Sequence, residues 1–331
     1  MSTLHLHLGE ASMVGEGRRA VGRLARELGF SPTDTGRAEL IVTEAATNLV
    51  KHAAGGELLL SATASPAAAI DIVTCDRGPG IANITEALRD GHWTAGTRGN
   101  GLGAIARLAS TFDIYSRPGR GTAVFARVSP APNNPRKEEF KVGGLNVPYP
   151  GEPVSGDCWA FERVDQRLCV LVADGLGHGP IAHQSAQVAE ASFRRHARAA
   201  PAELVTRMHE ALRATRGAAL AVAEVDPTKR VVRFAGIGNI DGTIVSEGPP
   251  RHLVSHYGTA GHQVRRIQEF TYPWPKGGVL ILHSDGLTTR WTLDDYPGLV
   301  AKHPVLAAAV LYRDFRRGRD DATVVVLAEA A

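Results

Sequence analysis

Two sets of residues have types and spacings that can do chemistry. The first lies in Asp76–Gly103, which reads DRGPGIANITEALRDGHWTAGTRGNGLG. An acidic residue beside glycines can accept from a purine amino group, and main-chain N–H groups at a glycine-rich helix entrance can hold phosphates. The stretch therefore predicts an ATP site. The second set is acidic: Asp157, Asp174, Asp285 and the pair Asp320/Asp321, each next to a strand-like run. One Asp-Gly alone is ordinarily a turn. Asp157 and Asp174, however, bracket two runs that read as a hairpin, which makes them neighbours. Carboxylates brought together repel unless a cation lies between them, and oxygen-only ligands suit Mg2+ or Mn2+.

The elements that must position the first set read in order. Residues 4–8 alternate as a strand, and residues 11–29 carry apolar side chains at helical spacing up to Gly29. The next segment, SPTDTGRAELIVTEAATNLVKHAAGG, predicts a helix with cap-type residues at Thr33–Thr35 and a stop at Gly55-Gly56. Glu44 and Asn48 project from one face of it, a turn apart. An isolated pair of this kind is ordinarily solvated surface. Residues 57–63 and 69–75 predict strands, with Asp76 where the second ends. Residues 82–98 hold few apolar anchors and read as a lid. Residues 104–110 predict a helix, and 112–116 with 122–128 a closing hairpin. A Rossmann arrangement is excluded, because the glycines do not follow the first strand.

A Glu-xxx-Asn helix, a strand ending in AspxGlyxGly, a lid ending in GlyxGlyxGly and a Gly-Arg-Gly-Thr hairpin occur in that order over roughly residues 5–128. The order resembles the GHKL or Bergerat fold of histidine kinases and anti-sigma-factor serine kinases. Within it the likeness is to the serine/threonine switch kinases of partner-switching systems. The resemblance implies that Asn48 ligates Mg2+, that Asp76 accepts from the adenine amino group and that Gly80 shapes the base pocket. It places Gly101 and Gly103 at the phosphates, Thr122 near the adenine, and Gly78, Gly99 and Leu102 in the same nucleotide site. It makes Glu44 the general base. Asn100 departs from the pattern, standing where those kinases carry an apolar residue. His52 reads as structural or as a rim residue, and His92 as a loop histidine.

The second half predicts a hairpin over 158–163 and 167–173, helices over 181–197 and 201–214, and strands at 218–225, 230–235, 240–246, 277–283 and 324–327. GD at 156–157, ADGLGHG at 173–179, GlyxGlyAsn at 236–239, SDG at 284–286 and RDDATVVV at 319–326 resemble the SpoIIE-like branch of the PP2C phosphatases. That resemblance implies that Asp174 bridges two metals, that the Gly175 carbonyl ligates one of them, and that Asp157, Asp285 and Asp320 complete the set. Asp321 becomes a further ligand or a supporting partner, and His178 a candidate acid. Cys158 and Cys169 lack the phosphate loop of cysteine phosphatases.

The expected fold is α+β in two domains. Residues 1–130 form a Bergerat-type sandwich with helices on one face of a mixed sheet, 131–140 are a linker, and 141–331 form a PP2C-like αββα sandwich. The length of 331 residues supports two cores. A net charge of +3 without a basic run argues against nucleic acid. The three cysteines are odd in number and scattered, which suggests buried thiols in the cytoplasm. No run approaches ~18 apolar residues, so no membrane span is expected. The two resemblances together imply a kinase module fused to a phosphatase acting on a STAS-domain phosphoprotein of the anti-sigma antagonist or stressosome type. A sigma factor or another switch protein is a second expected partner. The alternative is a phosphatase whose N-terminal domain only binds ATP.

Overall fold

The computed structural model describes residues 3–64, 67–89, 101–130 and 139–330. These fall into two compact units. One joins residues 3–130 to residues 301–313; the other comprises residues 139–300 and 314–330. Residues 131–138 of the predicted linker and most of the predicted lid, with Gly99 and Asn100, lie outside the described residues. Phe140, expected to end the linker, instead opens a strand and is buried in the core.

In the first unit, β1 (Thr3–Leu8), α1 (Val14–Glu27), α2 (Pro32–His52), β2 (Gly56–Thr63) and β3 (Ala69–Cys75) are followed by the short α3 (Ile84–Ala87). Then come α4 (Gly101–Leu108), β4 (Thr111–Ser116) and β5 (Thr122–Val128). The N-cap of α2 is Ser31 rather than the predicted Thr33–Thr35, because Pro32 fits the first helical position and the Ser31 hydroxyl accepts from the Asp34 N–H. The sheet order is β1-β2-β3-β5-β4. All four pairings are antiparallel, where a mixed sheet was expected. The reason is that α1 and α2, two helices in succession, return the chain so that β2 runs back along β1.

One face of this sheet packs on the helices. Val21 and Ala25 of α1, Ile41 and Ala45 of α2 and Ile105 of α4 bury against Leu58, Leu60, Ile72 and Ala126. The opposite face is buried too. Leu59, Val73 and Phe125 form one cross-strand row and are at most 1% exposed. Residues 301–313 supply cover there: His303 stacks on Phe125 with ring centroids 4.3 Å apart, and Lys302 pairs with Asp113 at 3.1 Å.

The second unit opens with β6 (Phe140–Val147), β7 (Asp157–Val164), β8 (Arg167–Gly175), α5 (Gly179–His196) and α6 (Pro201–Ala211). Strands β9 (Ala218–Asp226), β10 (Val231–Ile237), β11 (Asp241–Val245), β12 (Arg251–His252), β13 (Phe270–Pro273) and β14 (Val279–His283) follow. Helix α7 (Pro304–Phe315) precedes β15 (Ala322–Glu329). Two antiparallel sheets result, β13-β10-β9-β8-β7 and β12-β11-β14-β15-β6. Trp159, Val172, Phe234, Leu280 and Val325 belong to the core that joins them. Ala186, Phe193, Leu204 and Met208 of α5 and α6 cover the outer face of the first sheet with Leu171 and Leu220. Most of α7 groups with the first unit, and its residues 304–313 are all buried, as suits a helix apolar on every side. No helix among the described residues is long and apolar enough to cross a membrane.

Candidate active sites

The first site is a cavity of about 520 Å3 lined by Glu44 and Asn48 of α2, Asp76 and Gly80 after β3, Gly101 and Leu102 of α4, and Thr122 of β5. Glu44 and Asn48 are half-buried and face this cavity. The Cα of Gly101 lies against both: a Cβ there would stand 3.1 Å from Asn48 Oδ1 and 3.3 Å from Glu44 Oε2. Asp76 Oδ1 accepts from the N–H of Gly78 at 2.8 Å and of Thr122 at 3.2 Å, and the Asp76 N–H donates to the Thr122 carbonyl. Burial raises the Asp76 pKa against the opposing pull of those N–H groups and of Arg313. Gly103 is buried inside α4, and His52 is exposed at the rim.

Two residues that the sequence reading did not single out shape this cavity. Ser116 Oγ accepts from the Ile81 N–H at 2.8 Å and shares a hydrogen bond with Thr122 Oγ1. Arg313 donates to the Asp76 carbonyl. Arg313 had no local signal, since it acts across 237 residues, and the bond from Ile81 reaches Ser116 across 35.

The second site gathers at strand ends. Asp157 and Asp174 are cross-strand partners in the β7–β8 hairpin, as predicted. Asp157 is 2% exposed; its Oδ2 accepts from Ser284 Oγ at 2.6 Å, and its carbonyl accepts from Asn146 Nδ2. Asp285 Oδ2 accepts from Asn239 Nδ2 at 2.7 Å. Both oxygens of Asp321 accept main-chain N–H groups, from Tyr149 at 2.7 Å and Gly156 at 3.0 Å. Asp321 therefore ties two loops to β15, while half-buried Asp320 accepts the Asp321 N–H through Oδ1. His178 Nδ1 meets Glu152 at 2.6 Å, and its ring stacks on Tyr149.

These carboxylates feel one another. Burial, then Asp321 and Asp320, pushes Asp157 up to about 7, against the pull of Ser284. Burial and then Asp157, Asp285, Asp320 and Asp321 raise Asp174 well above the carboxylate range. Among the described residues no three His, Cys, Asp or Glu side chains are gathered closely enough to hold a metal ion. The donor set is nevertheless of the kind a hard divalent cation takes: all oxygen, with Asp157 buried and Asp174 raised by its acidic neighbours. Burial also pushes the thiols of Cys158 and Cys169 up, the second to about 12, so neither is a nucleophile here.

An antiparallel sheet backed by a nucleotide-sized cavity, and a double sheet with carboxylates at its strand ends, define an ATPase-like module joined to a PP2C-like module. Comparison with known proteins agrees. The chain belongs to the histidine kinase-like ATPase domain family over residues 10–128 and matches Stage II sporulation protein E (SpoIIE), the PP2C-type phosphatase family, over residues 164–328. It is similar to serine/threonine-protein kinase RsbT of Bacillus subtilis (strain 168), 34% identical over 110 residues that span 33% of this chain and 83% of RsbT. It is also similar to phosphoserine phosphatase RsbX of the same organism, 25% identical over 138 residues that span 41% of this chain and 69% of RsbX. The crystal structure of RsbX in complex with magnesium shares the fold, with a TM-score of 0.52 and 20% identity, covering 59% of this chain and 98% of that one.

Proposed function

We propose that this protein is a two-way switch enzyme. Its N-terminal half phosphorylates serine or threonine on a STAS-domain protein with ATP, and its C-terminal half removes such phosphates. The observation that carries the kinase half is the placement of Glu44 and Asn48 across Gly101 in the Asp76 cavity. Phosphoryl transfer needs a carboxylate beside the nucleophilic hydroxyl and a ligand for the bridging cation, and a module that only binds nucleotide has no use for the first. RsbT is named a serine/threonine-protein kinase and RsbX a phosphoserine phosphatase, which supports opposing reactions in one chain.

In the phosphatase half, Asp174, Asp157, Asp285, Asp320 and the Gly175 carbonyl would hold Mg2+ or Mn2+. When bound, the ions supply an activated water and positive charge for the departing oxygen. The chain's own work is orientation. Ser284 fixes Asp157, Asn239 fixes Asp285, and Asp321 locks the loops at Tyr149 and Gly156.

Radiolabelled γ-phosphate from ATP should pass to a STAS partner, and Glu44→Ala should abolish that transfer while ATP binding persists. Transfer that survives in Glu44→Ala refutes the base assignment. ATP binding without any transfer favours the binding-only alternative. Asp174→Ala should abolish hydrolysis of p-nitrophenyl phosphate with Mn2+ and leave the fold intact.

A further inference from the structure

The second unit carries a groove that the site chemistry leaves unused. It has a volume of about 890 Å3 and is lined by Leu176, Asn239, Tyr257, His262 and Arg265 among others. It begins at the carboxylate site. Asn239 is the partner of Asp285, Leu176 follows Gly175, and the lining residue Ala219 pairs with Asp174 across β8 and β9.

The far wall is a pinned loop. Ala260 and Ala218 exchange main-chain hydrogen bonds, the Gly238 N–H donates to His256, and the His262 ring donates to the Arg216 carbonyl. On that fixed loop the Tyr257 side chain is 97% exposed, and Leu176 opposite is 45% exposed. An aromatic ring held out by ordered backbone has no packing role of its own, and tyrosine is a common anchor at interfaces.

The charge of the groove is one-sided. Among the described residues, no Asp or Glu lines it. Arg265 is exposed in its wall, and the Arg216 guanidinium stands over Gly177, 3.3 Å from where a Cβ would lie. The geometry points to a docking subsite for the phosphoprotein substrate, taking an acidic residue and an apolar side chain that flank the phosphorylated residue. Tyr257 and Leu176 grip the apolar side chain, and Arg265 takes the acidic one. The inference rests on the phosphatase reading and adds the substrate's flanking chemistry to it.

The test uses the full chain with Mn2+ and three substrates: p-nitrophenyl phosphate, a phosphothreonine peptide flanked by aspartate and leucine, and the same peptide with lysine for aspartate. The acidic peptide should be preferred by roughly tenfold, through KM, the worth of one charged or aromatic anchor. Arg265→Glu should erase or invert that preference, Tyr257→Ala should raise KM for both peptides, and neither should alter hydrolysis of p-nitrophenyl phosphate. Equal use of the two peptides overturns the subsite, and so does a parallel fall on all three substrates. No hydrolysis of p-nitrophenyl phosphate by the unsubstituted chain would instead defeat the phosphatase reading, and the subsite with it.

Discussion

Arg313 donates from Nη1 to the main-chain carbonyl of Asp76 at 3.0 Å, and Arg77 returns a hydrogen bond to the carbonyl of Arg313. A residue 237 positions away along the chain thus holds the backbone of Asp76, whose carboxylate lines the first cavity. Arg313→Ala should destabilise the first unit by about 1–3 kcal/mol, the worth of a hydrogen bond from a charged donor. It should also move a pH profile. Burial raises the Asp76 pKa and Arg313 opposes the rise, so ATP affinity should weaken as pH falls through the raised pKa. Without Arg313 that weakening should begin at a higher pH. Calorimetric titration with ATP over a pH series checks this, and superimposable profiles for the two proteins would refute it.

Gly80 and Gly119 share a φ of +72°, but only Gly80 is crowded: a Cβ there would lie 2.0 Å from the Arg117 carbonyl, whereas nothing lies within 4 Å at Gly119. Alanine at 119 should cost about 1 kcal/mol, the strain of a left-handed residue. Alanine at 80 should cost more and weaken ATP binding as well, because Arg117 must shift in the hairpin that carries Thr122. Thermal melts with and without ATP separate the two, and equal losses at both positions would show that contact with Arg117 is unimportant.

Much of this was legible in the sequence, because periodicity and strand-end residues are local signals. The β7–β8 hairpin that pairs Asp157 with Asp174 follows from its two apolar runs and the turn between them. The cover over Leu59, Val73 and Phe125 was not legible. Leu58, Leu59 and Leu60 are consecutive apolar residues, the mark of a strand buried on both sides, yet their covering partner lies beyond residue 300. Ser284 and Asn239 flank readable motifs, but their hydrogen bonds to Asp157 and Asp285 span 127 and 46 residues and leave no trace in spacing. Arg313 sits in a helix whose apolar run predicts burial without saying against what.

The carboxylate site should make the metal-free chain less stable as pH rises. The folded-state pKa of Asp157 is about 7, against about 3.9 in an unfolded chain. Between those values the folded state holds more protons, so stability is present at low pH and lost as pH climbs through the window, by about 1.4 kcal/mol per pH unit for each such group. Asp174, raised in the same direction, adds to the slope. In EDTA, melting temperature should fall from pH ~5 to ~7, and Asp157→Asn should flatten that fall. Mn2+ should raise the melting temperature more at the higher pH, because ligands bind metal in their deprotonated form. A metal effect of the same size at both pH values would argue against carboxylate ligands.

Asn239 tests orientation apart from charge. Its Nδ2 donates to one oxygen of Asp285, at 2.7 Å. Asn239→Ala removes no carboxylate, so every proposed ligand remains, but Asp285 loses the contact that fixes its rotamer. Partners of ligands are typically worth 10–100-fold in metal affinity. The activation constant for Mn2+ in p-nitrophenyl phosphate hydrolysis should therefore rise by roughly that factor. The rate at saturating Mn2+ should largely recover, because excess cation restores occupancy. Asp285→Ala, which deletes the ligand itself, should not recover at any Mn2+ concentration. If Asn239→Ala behaves like Asp285→Ala, the asparagine acts on the reaction directly, and its assignment as a positioning residue is wrong.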